Sequence, residues 1–382
     1  ILSSFIDRID SPSIKTLIEH VYGFNDLSLS CHESDIIEAC DDLKNLFSRW
    51  NILSDGDLGG YMLQSLASRD EKKNRGQFFT PPDIVREMIR MLAFPEKPVE
   101  SWKILDPACG SGQFLLGMFQ ALLEIYVLKG YSRYDAAKAI VSNNLFGNDI
   151  DQVAMMVARF NLSQLSGIPV EEIHITCSDF LFRDDLSTGT EFVPGNDYDI
   201  IIGNPPWGSK LTSEQKKYFR HTYLASESGI NTFTLFLERS FDYLGQHGQM
   251  AFLVPEAYLN IKAHQRSRQW VLDSFMIKAI SLWGEQFRNV FAPSISILMK
   301  KQHDPALREK CIIEIHKPGI MSDKETTLVP QGSYMRNTEN IFNVHYSRKA
   351  VDILSAINNS DSCYLRNRST FFLGIVTGNN HE

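Results

Sequence analysis

Long apolar runs are missing from this 382-residue chain: no stretch reaches the ~18 residues a membrane-spanning helix needs. Cysteine is scarce, with six residues at no repeating spacing. That argues against a disulfide framework or a zinc finger and for a reducing cytoplasm. Cys31-His32 with Cys40 comes nearest to a metal cluster, and no fourth ligand lies close in sequence. The Gly-x-Gly-x-x-Gly fingerprint is not met, which removes an NAD-linked oxidoreductase. Gly-Lys-Ser/Thr is missing too, which removes a phosphate-binding P-loop. Glu71-Lys72-Lys73 fits only the tail of a nuclease motif, without partner carboxylates at strand positions. Internal repeats and low-complexity tracts are also lacking. The chain opens on Ile, with no basic-then-apolar leader, as expected of part of a longer protein.

An excess of positive charge is the last absence. The net charge is −8, so a nucleic-acid partner would have to be held by local patches. Three are legible: Lys72, Lys73 and Arg75; Lys210, Lys216, Lys217, Arg220 and His221; and Lys262, His264, Arg266 and Arg268. Each alone suits an ordinary solvated helix face as well.

What is present centres on Tyr198–Trp207. Ile200-Ile201-Ile202 reads as a short buried strand, and Gly203 with Pro205 and Pro206 ends it abruptly. Asn204, two prolines and Trp207 are thus presented at a strand's carboxyl end, where open α/β sheets bind ligands. The trio suits methylation of an amino group conjugated to a ring. The Asn204 side-chain carbonyl and the Pro205 main-chain carbonyl can accept the two N–H bonds of such a nitrogen, and Trp207 offers a face for stacking. The alternative is an Asn-capped turn followed by a core Trp.

Other strand ends point the same way. Ile104–Asp106 leads into the small-residue loop Pro107-Ala108-Cys109-Gly110-Ser111-Gly112, with a helix from near Gln113. A carboxylate opening this loop repels a pyrophosphate but suits a ligand bearing an amino group, such as S-adenosylmethionine. Asp149, with Asp151 as second choice, ends the next strand and suits a ribose diol. Asp179 and Phe180 follow a third strand and suit an adenine. Upstream, Thr80 is expected to cap a helix whose first turn is Pro81-Pro82-Asp83. Further strands are expected at 248–255, 277–283 and 294–299, and the alternation fades from about 303.

Together Gly76–Pro82, Asp106–Phe114 and Asn204–Trp207, in that order, resemble the gamma-order N6-adenine DNA methyltransferases of bacterial restriction–modification systems, which include type I modification subunits and fused type II enzymes. The resemblance covers roughly residues 58–300. It implies a Rossmann-like α/β fold dependent on S-adenosylmethionine, with a mostly parallel seven-stranded sheet and helices on both faces. It implies a helical region over 1–75, a catalytic domain over 76–302, and an extension over 303–382 leading into a truncated target-recognition domain. Thr80 and Pro81 would line the cofactor pocket. Asp106, Ala108 and Gly110 would contact the methionine moiety, Asp149 the ribose, and Asp179 with Phe180 the adenine. Asn204, Pro205, Pro206 and Trp207 would form the catalytic tetrapeptide, and Phe291 a second ring against the base. Double-stranded DNA is the implied partner, with specificity and restriction subunits or domains, in the cytoplasm and away from membranes. The rival readings are a methyltransferase acting on RNA or on a protein glutamine, and a non-catalytic DNA-docking subunit.

Overall fold

The computed structural model describes residues 80–182, 197–284, 293–317 and 326–344, together with Ile353 and Ile357. The region expected to be helical over 1–75, with its basic cluster at 72–75, and Phe291 lie outside the described residues. The chain divides into two compact units, Ile1–Phe342 and Asn343–Glu382, and all the strands described belong to the first.

The strands are β1 (Ile104–Asp106), β2 (Leu145–Asp149), β3 (Ile175–Cys177), β4 (Tyr198–Gly203), β5 (Leu244–Pro255), β6 (Phe275–Gly284), β7 (Ser294–Lys301), β8 (Ile312–His316) and β9 (Thr326–Pro330). They form one sheet in the order β3-β2-β1-β4-β5-β7-β6-β8-β9. From β3 to β5 all neighbours are parallel. β7 runs antiparallel between β5 and β6. β4 and β7 are buried almost end to end, and each has an aliphatic centre, Ile200–Ile202 in β4 and Ile297–Met299 in β7.

The chain winds from β1 outward through β2 to β3, then returns to β4 on the other side of β1. The sheet therefore has a switch point between β1 and β4. Right-handed crossovers in opposite directions send the connecting helices to opposite faces. The described helices are α1 (Pro82–Arg90), α2 (Gln113–Leu128), α3 (Arg133–Ala139), α4 (Gln152–Ser166), α5 (Ser213–Thr222), α6 (Thr232–Tyr243), α7 (Gln265–Ser274), α8 (Pro305–Lys310) and α9 (Gln331–Arg336).

The expected sheet of seven strands is corrected to nine. β8 pairs in parallel with β6, and β9 closes the edge. Both come from beyond residue 302, where the sequence shows short alternating segments instead of strand–helix units. Their attachment is reinforced by the buried Gln331, which completes the edge of β6. Its Oε1 accepts from the Ile277 N–H at 2.8 Å, and its Nε2 donates to the Phe275 carbonyl at 2.8 Å.

Two tethers carry α1 to the sheet. Val85 and Ile89 pack on α2 at Gly117. The chain after the helix is then held by Gln249 of β5, whose amide bonds both the N–H and the carbonyl of Ala93. No helix among the described residues is long and apolar enough to cross a membrane.

Candidate active site

The site lies at the carboxyl ends of β1 to β5. The β1 loop turns through Gly110 (φ 53°) and Gly112 (φ 95°), a conformation that side-chain-bearing residues adopt at a cost, before α2 begins. Asp106 is 1% exposed at the end of β1, and its Oδ1 accepts from the Ala108 N–H at 3.2 Å. Burial holds its carboxyl well above the usual carboxylate range, against that one bond, and the Asp149 charge adds to the rise.

Asp149, at the end of β2, is also buried. Its Oδ2 accepts from the Gly110 N–H at 2.8 Å and its Oδ1 from the Asp151 N–H at 2.9 Å. Burial still pushes its pKa up to about 6. Each oxygen keeps a second lone pair, so the pair of oxygens can accept a diol without releasing the loop. Asp151, the second choice for that role, instead caps α4: its Oδ1 accepts from the N–H groups of Val153 (2.9 Å) and Ala154 (3.3 Å). Asp179 accepts from the Leu181 N–H at 3.0 Å in the turn after β3.

Phe180 is placed differently from the expectation. It is 3% exposed and packs against Phe236 (5.3 Å, stacked) and Tyr243 (5.3 Å) beneath the turn. An aromatic after a strand end satisfies a core as readily as a ligand, and here α6 supplies the core partners.

Thr80 also departs from its expected cap. The cap of α1 is Pro81, whose carbonyl accepts from Ile84 (3.0 Å) and Val85 (3.2 Å), with no side-chain bond. Thr80 is buried, and its Oγ1 accepts from Asn204 Nδ2 at 3.1 Å. A residue at the entry to α1 thus fixes the side chain that follows β4.

Gly203 stands against Asp106 at the end of β1, and Asn204 and Trp207 follow it. A Cβ placed on Gly203 would lie 2.6 Å from Asp106 Oδ1, so only a glycine lets β4 pass that carboxylate. Pro205 is buried, and Trp207, 8% exposed, donates its indole N–H to the Leu253 carbonyl of β5 at 3.3 Å. The loop is secured from the far side by the start of α6. Thr232 Oγ1 donates to the Pro206 carbonyl, and Asn231 Oδ1 accepts from the Gly208 N–H at 3.2 Å.

Sequence reasoning missed Asn231, Thr232 and the role of Asn148. Asn148 is buried in β2 and ties three strand ends together. Its Nδ2 donates to the carbonyls of Pro107 (3.3 Å) and Ser178 (3.0 Å), while its Oδ1 accepts from Thr176 Oγ1 (3.1 Å) and Ser178 Oγ (2.8 Å). The available signal was an amide in an otherwise apolar strand, which must find partners when buried.

The sequence pattern of the N-6 DNA Methylase family matches residues 54–363, most of the chain. The chain belongs to this family. A type II methyltransferase, M.VspI, from Vibrio sp. (strain 343) is 28% identical over 315 residues, covering 82% of this chain and 68% of that protein. The type II restriction enzyme and methyltransferase RM.Eco57I of Escherichia coli is 23% identical over 356 residues, covering 78% of this chain and 35% of that protein. Among solved structures, a proposed class I S-adenosylmethionine-dependent methyltransferase from Listeria monocytogenes aligns with a TM-score of 0.51 at 18% identity. The alignment covers 81% of this chain and 94% of that one, a likeness of fold.

The family's dependence on S-adenosylmethionine can be tested against the residues present. Two buried carboxylates with raised pKa stand at adjacent strand ends, an arrangement costly without a cation and suited to a ligand carrying an ammonium group and a sulfonium. Gln113, which opens α2 directly after the loop, has a buried Nε2 with no hydrogen-bond acceptor among the described residues, suited to a carboxylate. The residues fit the group.

Proposed function

We propose that this chain transfers a methyl group from S-adenosylmethionine to the N6 amino group of adenine in duplex DNA, within a restriction–modification or related phage-defence system. The observation that carries the reading is the contact between β1 and β4 at the switch point. Gly203 abuts the Asp106 carboxylate, and the next residue is Asn204. Donor and acceptor subsites therefore lie on adjacent strands of one rigid sheet.

S-adenosylmethionine supplies an electrophilic methyl group. Asp106 and Gln113 bind its amino-acid end, and Asp149 its ribose. The target adenine is flipped out of the duplex, since N6 is out of reach within the stack. Thr80 Oγ1 accepts from Nδ2 of Asn204 and so holds the amide in place. Oδ1 of Asn204 and the Pro205 carbonyl accept the two N6–H bonds. The nitrogen lone pair is thereby drawn out of conjugation and turned towards the methyl group. Pro205 fixes φ and with it the direction of its carbonyl. Trp207, its ring set by the Leu253 carbonyl, stacks on the base. The proton released from N6 passes to water. Specificity and restriction subunits or domains complete the system, and the site of action is the bacterial cytoplasm.

Replacing Asn204 by Ala tests the assignment. Methylation of duplex DNA is expected to be lost while S-adenosylmethionine affinity, measured by calorimetry, stays within about threefold, since only an acceptor for the base is removed. Loss of both would remove Asn204 from the acceptor role.

A further inference from the structure

The catalytic edge of this sheet is acidic, and its acceptor is a polyanion. Asp106, Asp149, Asp151 and Asp179 all stand at the ends of β1 to β3, on a chain whose net charge is −8. Holding a duplex there requires a concentrated cationic surface on the same edge.

The basic clusters of the sequence divide sharply once their partners are seen. The set from 262 to 268 is consumed by the fold. Arg268 is 0% exposed and donates to the carbonyls of Tyr258 (2.8 Å), Ile261 (2.8 Å), Glu339 (2.9 Å) and Asn340 (3.1 Å). His264 is buried, and burial lowers its pKa to about 4, so it carries no charge at neutral pH. Arg266 pairs with Glu227 at 2.9 Å, and Lys262 with Glu339 at 3.7 Å.

The set on α5 is not consumed. Lys210, Lys216, Lys217, Arg220 and His221 are exposed, and none has an ion-pair partner among the described residues. Glu214 is the helix's one carboxylate. The inner face of α5 is fixed over the strand ends. Tyr218 stacks on Phe182 at 4.7 Å, Phe219 is buried against Phe182 and Tyr223, and Tyr223 donates its hydroxyl to the Leu181 carbonyl. A reciprocal capping box between Thr212 and Gln215 sets the first turn. The helix begins six positions beyond Trp207, on the chain that leaves the base-binding loop.

A solvated face accounts for part of this pattern, because Arg220 and His221 complement the carboxyl end of the helix dipole. It does not account for Lys216 and Lys217 earlier in the helix. The pair Lys216–Arg220 sets like charges four residues apart, which disfavours the helix unless an anion lies between them.

We infer that the outer face of α5, formed by Lys216, Lys217 and Arg220 with Lys210 at its approach, binds the phosphate backbone of the duplex beside the flipped adenine. This rests on the DNA-methylation reading above. The contact is independent of sequence. It supplies affinity and register while base recognition lies elsewhere.

The test is binding of the full chain to a mixed-sequence DNA duplex across a salt series. Three proteins are compared: wild type; Lys216→Gln with Lys217→Gln and Arg220→Gln; and Arg133→Gln with Lys138→Gln and Lys310→Gln. The last removes equal charge from exposed positions on α3 and α8. Each phosphate left without its cation lowers the slope of log affinity against log salt by about 0.9, so the α5 variant is expected to lose roughly 2.7 and the control little. S-adenosylmethionine affinity, read by calorimetry, should be the same in all three and reports that the fold is intact. A slope unchanged in the α5 variant, or lowered equally in the control, overturns the proposal and leaves the methylation reading standing. A wild-type chain that binds S-adenosylmethionine but no duplex at any salt overturns both.

Discussion

Gly203→Ala is the sharpest probe of the site, because one methyl group acts on both of its halves. The new Cβ would lie 2.6 Å from Asp106 Oδ1 and 3.3 Å from its Cγ, about 0.8 Å inside ordinary contact. β4 is paired on both sides and cannot retreat, since Ile200 and Ile201 are in register with β1 and with Gln249 and Met250 of β5. The carboxylate must therefore swing away. The hydrogen bond it accepts from Ala108, at 3.2 Å, is at the long end of the normal range and is the only one among the described residues to resist the swing. A charge-assisted hydrogen bond to the cofactor's ammonium is then broken, worth about 1.5–3 kcal/mol, or roughly a 10- to 150-fold rise in the dissociation constant of S-adenosylmethionine. The crowding itself costs about 1–3 kcal/mol of stability, so the melting temperature must be followed in parallel. The assay is calorimetric titration of the folded variant. Affinity within twofold of wild type would refute the reasoning, because it would mean that Asp106 does not hold the amino group or that the strand yields freely.

Three further outcomes are expected. The folded chain keeps the Asp149 proton up to about pH 6, where the unfolded chain has already released it. The ligand-free fold should therefore gain stability as pH falls through about 6 towards about 4, and Asp149→Asn should reduce that slope in thermal melts. Cofactor affinity should run the opposite way, falling below about pH 6 in the wild type, with the share due to Asp149 removed in Asp149→Asn. Thr80→Val removes the acceptor that fixes Asn204 and should lower the methylation rate constant roughly two- to tenfold under saturating cofactor, in a single-turnover assay. Arg268→Met removes four hydrogen bonds, the one to Tyr258 fully buried, and should destabilise the chain by about 3 kcal/mol in urea unfolding, where a cost below about 1 kcal/mol would contradict the bonding described.

Local patterns made the centre of the fold legible. A run of isoleucines ending in Gly-Asn-Pro-Pro, and an Asp followed by small residues, are signals complete within ten positions, and both lie where their spacing places them. What stayed hidden depends on distant partners. Thr80 and Asn204 are 124 residues apart, and the hydroxyl looks like a helix cap until the strand end arrives beside it. Phe180 reads as ligand-facing because the rings that bury it, Phe236 and Tyr243, belong to a helix more than fifty residues later. The cluster from 262 to 268 reads as a cationic surface, yet Arg268 is spent on carbonyls at 339 and 340. β8 and β9 escaped because they are only five residues long and the helix before β8 is only six, too short for either period to register.

The late insertion of β7 has a consequence for synthesis. β5 and β6 precede it along the chain, yet neither pairs with the other; both bond to β7, which is buried almost throughout. As the chain leaves the ribosome, the catalytic strands can assemble early while β5 keeps a bare hydrophobic margin until residue 301 emerges. A nascent or prematurely ended chain in that interval displays an adhesive strand edge. Trimming the protein just after β5 would leave the same edge unpaired.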